Sequence, residues 1–283
     1  MSAPVVPGGT ERGAGPGDRG SRRWVHVGIV VIVAATAALM LLVVFHGEVR
    51  PVPAFPSLEA HPDPSLQGTV AYTTGESRCV RIVAAAGSPS RDVMCLGQWK
   101  PNPAAAAAGF KEMNSPQLVW RPDGRLEITM FLMQVGPYPK GQGPTYRAEW
   151  QKIVDIRTGA VEDVPAAQLP TSPNLTTRPT TTPSGRRITW TSNGETGRVT
   201  VTITESTGSR NLMSAHGPGG YGYALHSAFW SPNWQWIAAD DGRILIITPG
   251  PPSLTRVLVD GGGGGGDFPI FAVTAQNLLG GAG

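Results

Sequence analysis

The sequence is short of charge, of lysine and of the patterns that build long helices. Asp, Glu, Lys and Arg make up 15% of its 283 residues, well below the roughly 25% of an average soluble protein. The net charge of +3 is carried by scattered arginines, so binding to nucleic acid, which needs a concentrated basic surface, gains no support. Glycine (37) and proline (27) are abundant and unfavourable inside helices, so the composition favours short strands joined by turns.

The chain also lacks the common catalytic motifs. It contains no G-x-S-x-G nucleophile elbow, no H-E-x-x-H zinc motif and no P-loop. Only His216 and His226 lie in the strand-rich region, and His226 is followed by Ser227. Successive strand residues point to opposite faces, which argues against a working pair there. We therefore predict that the chain is not an enzyme and binds no cofactor or metal, with an unrecognised hydrolase as the less favoured alternative.

One long uncharged run lies near the N-terminus. Residues 27–45 (VGIVVIVAATAALMLLVVF) are nineteen residues without a charge, and as a helix they span about 28 Å, close to the ~30 Å hydrocarbon core of a bilayer. Four arginines precede the run within residues 12–23, so the positive-inside rule places the N-terminus in the cytoplasm and the remainder outside. The alternative is a cleaved signal peptide, cut near Ala54.

The chain thus divides into four predicted segments. Residues 1–24 contain nothing to bury and form a disordered basic tail, and 25–46 form the transmembrane helix. Residues 47–66 contain five prolines and are expected to form a stiff, extended stalk. Residues 67–283 form an extracytoplasmic domain held at the membrane by residues 27–45.

The exported domain is read as all-β. In RVTVTITES (198–206) β-branched apolar residues alternate with threonine, the period-2 pattern of a half-buried strand. A short repeat recurs at VWRPDGRLEI (119–128), TTPSGRRITW (181–190) and FWSPNWQWIA (229–238). Each copy places proline at the second corner of a turn, where its fixed φ is favourable, just before a new strand.

These repeats resemble the blade motif of TolB-type, WD-repeat-like β-propellers. Arg121 replaces the usual serine, and Asn233-Trp234 stands where that family usually has Asp-Gly. The resemblance implies a small or degenerate propeller of four to five blades, divided as 67–99, 114–165, 180–215 and 223–260. The tail strand FPIFAVTA (268–275) is expected to complete the first blade and so protect its edge. A β-sandwich or an open propeller is the alternative.

The two cysteines, Cys79 and Cys95, both fall in the exported part. Their position in a predicted hairpin favours a disulfide in an oxidising compartment, and two buried free thiols are the alternative.

The aromatic residues divide into two groups. Trp120, Trp190 and Trp230 adjoin the repeat turn and are expected to pack in the core. Candidates for a binding surface are the loop residues Trp99, Tyr138, Tyr221, Tyr223 and His226, because exposed aromatics on Gly-rich loops often mark contact surfaces. We expect a membrane-tethered binding or scaffold module with an envelope-protein or cell-wall partner. A cell-envelope sensor is the alternative. The arginine-rich, lysine-poor composition suggests a bacterial source, specifically an actinobacterial one.

Overall fold

The computed structural model describes residues 54–73, 79–96, 103–113, 115–136, 144–173, 178–193, 195–217, 224–260 and 271–279. The chain divides into two units, Met1–Val49 and Arg50–Gly283, and all described residues belong to the second. The predicted basic tail, the transmembrane helix and residues 47–53 of the stalk lie outside the described residues. Within the described ranges, no helix is long and apolar enough to cross a bilayer.

The described residues form an all-β structure with one five-residue helix, α1 (Pro103–Ala107), and a 3-10 turn at Ala166–Gln168. The strands, in chain order, are β1 (Thr69–Thr73), β2 (Cys79–Ala84), β3 (Arg91–Cys95), β4 (Phe110–Glu112), β5 (Gln117–Trp120), β6 (Leu126–Gln134), β7 (Tyr146–Val154), β8 (Val161–Asp163), β9 (Arg187–Asn193), β10 (Arg198–Glu205), β11 (Gly208–His216), β12 (Ser227–Trp230), β13 (Ile237–Asp240), β14 (Ile244–Thr248), β15 (Leu254–Val259) and β16 (Phe271–Thr274).

These strands form four antiparallel sheets, numbered I to IV. Sheet I has the order β16-β1-β2-β3, sheet III β9-β10-β11 and sheet IV β12-β13-β14-β15. Sheet II has the order β5-β6-β7-β8, with β4 pairing along the far half of β6. Apart from β16, which pairs with β1, and β4, which pairs with β6, consecutive strands of a sheet are neighbours, as in the meander of a propeller blade. Four separate sheets of this kind make the fold propeller-like and replace the alternative of a two-sheet sandwich.

The repeat predicted from the sequence is confirmed as one recurring turn. In each copy the backbone N–H of the fourth residue donates to the carbonyl of the first: Gly124 to Arg121 at 3.0 Å, Gly185 to Thr182 at 2.9 Å, and Trp234 to Ser231 at 2.9 Å. The fourth residue has a positive φ in all three turns, of 83°, 81° and 60°. Each turn leads into the second strand of a sheet. In sheet III the innermost strand is reduced to the bridge between Thr181 and Arg187.

Three apolar clusters hold the sheets together. They join sheet I to sheet II, sheet I to sheet IV, and sheet III to sheet IV. The spatial order is therefore II–I–IV–III, although the chain builds the sheets in the order I–II–III–IV. Among the described residues no apolar cluster joins sheet II to sheet III, so apolar packing links the sheets in an arc and does not close a ring. Representative pairs are Ile82 and Leu126 between sheets I and II, Tyr72 and Trp236 between sheets I and IV, and Val201 and Leu245 between sheets III and IV.

The open end of the arc at sheet III is polar. On β10 the side chains of Val199, Val201 and Ile203 are completely buried against sheet IV, which confirms the predicted alternation. The other face carries Thr200 and Thr202, whose partners across the sheet are also polar. Hydroxyl groups gain little from leaving water, so this face has no tendency to pack against an apolar neighbour.

The C-terminal strand β16 pairs with β1 and completes sheet I, as predicted. In the other sheets a turn of the chain joins the innermost strand to the next one. In sheet I these two strands come from opposite ends of the domain, and hydrogen bonds of side chains connect them. The Oδ1 atom of Asn277 accepts the N–H of Gly68 at 2.7 Å, and Oγ1 of Thr69 donates to the carbonyl of Gln276 at 2.9 Å. Gly68 has a φ of 121°, and a Cβ there would lie 2.6 Å from the carbonyl oxygen of Thr274. Glycine is therefore required at this closure.

Residues 54–66 differ from the free stalk that the sequence predicts. Leu58 is completely buried in the cluster between sheets I and IV, and its N–H donates to the carbonyl of Val257 at 2.8 Å. Asp63 accepts a hydrogen bond from Arg256 at 2.6 Å. This part of the chain is docked along β15, because two buried leucines, Leu58 and Leu66, and one ion pair outweigh the tendency of the prolines to project.

The structure contains the disulfide that the sequence predicts. Cys79 and Cys95 are opposite each other on β2 and β3 and are joined by their sulfurs. Asp92 lies near enough to complete a group of three metal-ligand residue types. Both sulfurs are bonded to each other, however, and a metal ligand must be a thiolate. The disulfide is typical of an extracytoplasmic compartment.

Removing residues 271–283 is expected to abolish cooperative unfolding of the domain. The truncation leaves β1 with an open edge and removes Phe271, which is 1% exposed; losing a buried phenylalanine side chain alone costs about 3–5 kcal/mol. Urea denaturation followed by tryptophan fluorescence measures the effect. Removing only residues 281–283 is the control, and equal urea midpoints for the two truncations would contradict the closure.

Replacing both Cys79 and Cys95 by serine is expected to lower the free energy of unfolding by about 3 kcal/mol. The residues are 16 apart, and cross-linking a loop of that size restricts the unfolded chain by this amount. Urea denaturation of the oxidised protein and the double variant gives the difference. Alkylation of two thiols in the unreduced, unfolded protein would show that the bond does not form.

Candidate functional site

Most of the surface residues predicted for binding lie outside the described residues: Trp99, Tyr138, Tyr221 and Tyr223. Their role stays a prediction. His226 is described and is exposed just before β12. The hydroxyl oxygen of its neighbour Ser227 accepts a hydrogen bond from Arg178 at 3.2 Å. Arg178 in turn lines a cavity.

The cavity lies where the innermost segments of all four sheets converge. It has a volume of about 410 Å³. Sheet I contributes β16, sheet II contributes β5, and sheet IV contributes the end of β12. Sheet III contributes Arg178 and Pro179, which precede its reduced first strand. The position corresponds to the axis of a propeller, and the volume is in the range of small-molecule sites, roughly 300–1,000 Å³.

Two other concave regions are larger but more polar. One, of about 540 Å³, lies between the docked N-terminal segment, strands β1 and β2 of sheet I and strand β15 of sheet IV. The other, of about 830 Å³, is the open polar face of sheet III. A binding site is usually apolar with a few convergent polar groups, and the central cavity has the most aromatic lining of these three.

Five aromatic side chains form this wall: Trp120, Phe229, Trp230, Trp234 and Phe271. The rings of Phe229 and Phe271 stack with their centroids 5.4 Å apart. Trp120 is fixed by a hydrogen bond from its Nε1 to the carbonyl of Ala272 at 3.1 Å. Trp230 packs in the core, as predicted, and is 0% exposed; it is also among the residues around the cavity. Trp120 and Trp230, which the sequence predicts to pack in the core, therefore also border the cavity.

Arg178 is the charged group of the cavity. Its guanidinium lies 4.1 Å from the centre of the Phe229 ring and 4.8 Å from that of Phe271. It donates to the hydroxyl of Ser227 at 3.2 Å and to the carbonyl of Phe271 at 2.8 Å. Desolvation by burial lowers the pKa of Arg178 to about 10, although the charge of Asp240 opposes this shift. The guanidinium remains protonated at neutral pH.

Asp240 lies opposite Ser227 on the adjacent strand. Burial raises the pKa of this carboxyl group, against a hydrogen bond from the N–H of Gly242 and the charges of His226 and Arg178. Titratable groups with perturbed pKa values beside a cavity are typical of functional sites. No motif in the sequence points to Arg178, which lies in the Thr/Pro-rich run TRPTTTP (177–183).

Trp234 is a conformational exception in the wall of the cavity. It has a φ of 60°, whereas the equivalent residues of the other two turns are Gly124 and Gly185. A side chain other than glycine in this left-handed region costs about 1–2 kcal/mol, and such strain clusters at functional sites. The departure of Asn233-Trp234 from the expected Asp-Gly was the one signal of this site in the sequence.

Comparisons with known proteins extend this description only slightly. No protein-family model matches the chain, and no curated protein matches its sequence. Among solved structures, it is similar to the periplasmic gluconolactonase of Pseudomonas aeruginosa, with 16% identity and a TM-score of 0.21. The match covers 70% of this chain and 56% of that one, so this chain spans just over half its length. The propeller-like arrangement rests on the four sheets themselves, while the TolB-type assignment and the bacterial source stay predictions.

The comparison corrects one expectation from the sequence. We predicted that the chain is not an enzyme, and this is contradicted because the similar structure is an enzyme. Missing linear motifs exclude only those enzymes whose catalytic residues lie close together in sequence. A site assembled from separate strands leaves no such motif. The lactonase activity itself is a property of that protein, and a TM-score of 0.21 carries no argument for the same reaction here.

Replacing Trp234 by glycine is expected to change the free energy of unfolding by about 1 kcal/mol or less. Relief of the left-handed strain offsets the lost burial of the half-buried ring. Replacing Trp236 by alanine is the comparison: that ring is 0% exposed, and its loss should cost about 3–5 kcal/mol. Urea denaturation measures both, and equal destabilisation by the two changes would show that Trp234 is not strained.

Proposed function

We propose that this chain is an extracytoplasmic binding module that holds a small molecule with an apolar body in the central cavity. The observation that carries the proposal is the convergence of four inner segments on a cavity of about 410 Å³ with five aromatic side chains in its wall. Rings of this kind bury large areas of ligand and stack on flat apolar groups. The strained Trp234 supports the same site.

Binding is a step that a scaffold, a sensor and an enzyme have in common, so the proposal does not depend on a reaction. The membrane tether over residues 27–45 and a partner in the envelope or cell wall form part of this proposal. They are supported by the sequence pattern alone. A tether would keep the cavity close to the outer face of the membrane, where its ligand diffuses or is presented.

The purified full chain is expected to bind small neutral aromatic amides such as phenylacetamide and indole-3-acetamide. Saturation-transfer NMR detects the bound ligand, and its dependence on ligand concentration gives the dissociation constant. Trp234→Gly should weaken binding by roughly fivefold, because loss of one stacked aromatic contact costs about 1 kcal/mol.

The matched control is Trp190→Ala. Trp190 packs against the same apolar cluster as Trp234, but it is not among the residues that line the cavity. Binding should be unchanged in this variant. Equal weakening by the two changes, or no saturation transfer to any of the amides at millimolar concentration, would rule out the central cavity as the binding site.

A further inference from the structure

Arg178 differs from the other arginines that are largely withdrawn from water. The side chain of Arg256 is 13% exposed and lies 2.6 Å from the carboxylate of Asp63; that of Arg243 is 14% exposed and lies 2.6 Å from Asp241. Among the described residues, no carboxylate lies within 4.0 Å of the Arg178 guanidinium. Its hydrogen-bond partners, the hydroxyl of Ser227 and the carbonyl of Phe271, are both neutral.

Asp240 does not replace the missing contact. It acts on Arg178 only through its longer-range charge, and its carboxylate accepts a hydrogen bond from the N–H of Gly242 at 3.0 Å. A cation withdrawn from water is unfavourable unless an anion pairs with it directly. The guanidinium has five N–H donors in a planar fork that matches a carboxylate, and the two neutral partners use two of them.

Trp230 also carries a donor without an acceptor. It is 0% exposed, and among the described residues nothing accepts a hydrogen bond from its Nε1, whereas the indole N–H groups of Trp120 and Trp236 each donate to a backbone carbonyl, at 3.1 Å and 2.9 Å. This Nε1 is enclosed by protein, so we assign the contact with a ligand to Arg178 alone.

From the unpaired charge of Arg178 we propose that the ligand of the central cavity is a small organic carboxylate, with an aromatic or other flat apolar body against the rings and its carboxylate on Arg178. This inference rests on the proposed function and names the ligand class. The single positive charge matches a single negative one: Arg178 is the charged residue among those that line the cavity in the described part of the chain. A phosphate carries nearly two negative charges at neutral pH, and Arg178 would neutralise only one of them.

The test compares phenylacetate with phenylacetamide, which have the same ring and differ in charge. Isothermal titration calorimetry on the full chain at neutral pH should give a dissociation constant about tenfold or more lower for phenylacetate, because a hydrogen bond to a charged group is stronger than one between neutral groups. In Arg178→Met the preference should fall to about onefold to twofold. Arg178→Lys should retain part of it, since the charge remains and the fork is lost.

The matched control is Arg147→Met, because Arg147 lies 4.6 Å from the ring of Phe110 outside the cavity. The preference for phenylacetate should be unchanged in that variant. If Arg178→Met does not unfold cooperatively, Arg178→Gln serves in its place and should also remove the preference, because the positive charge is lost. Equal affinities for the two probes, or a preference that persists in these variants, would overturn the carboxylate assignment while leaving a binding cavity. If neither probe binds at millimolar concentration, both proposals are overturned.

Discussion

The pairing of β16 with β1 is the interaction on which the rest of the structure depends. It brings the last described strand of the chain beside the first and completes sheet I. The same strand supplies Phe271, whose side chain is buried between sheets I and IV. Its ring and carbonyl also contact Arg178. A single strand thus closes a sheet, forms part of a core cluster and positions the cation of the cavity, so stability and binding are linked at one element.

The order of the sheets explains why the cavity is accessible. Sheets I and IV occupy the middle of the arc and are the most deeply buried; every residue of β13, including Asp240, is buried. Sheet III presents a threonine-rich face at the end of the arc, and a polar face of this kind gains nothing by joining sheet II. The four inner segments consequently converge without sealing the axis with apolar packing, and the aromatic side chains form a wall around a space.

Local patterns in the sequence predicted much of this fold. Proline spacing identified the recurrent turn, the alternation of Val199, Val201 and Ile203 identified the buried face of β10, and the tail strand was assigned to the first sheet. These features depend on neighbours a few residues apart. Arg178 could not be found in this way, because its contacts lie 49 and 93 residues along the chain. Leu58 was missed for the same reason: one buried leucine between prolines has no period.

The docked segment after residue 54 has a mechanical consequence. Leu58 and Asp63 attach this segment to β15, the outermost strand of sheet IV, and the bridge between Ser57 and Val257 is parallel. Tension applied to the chain ahead of this segment would act first along these bonds at the rim. The inner strands would be loaded only after the segment had peeled away. The attached segment therefore protects the aromatic cavity from forces transmitted along the chain.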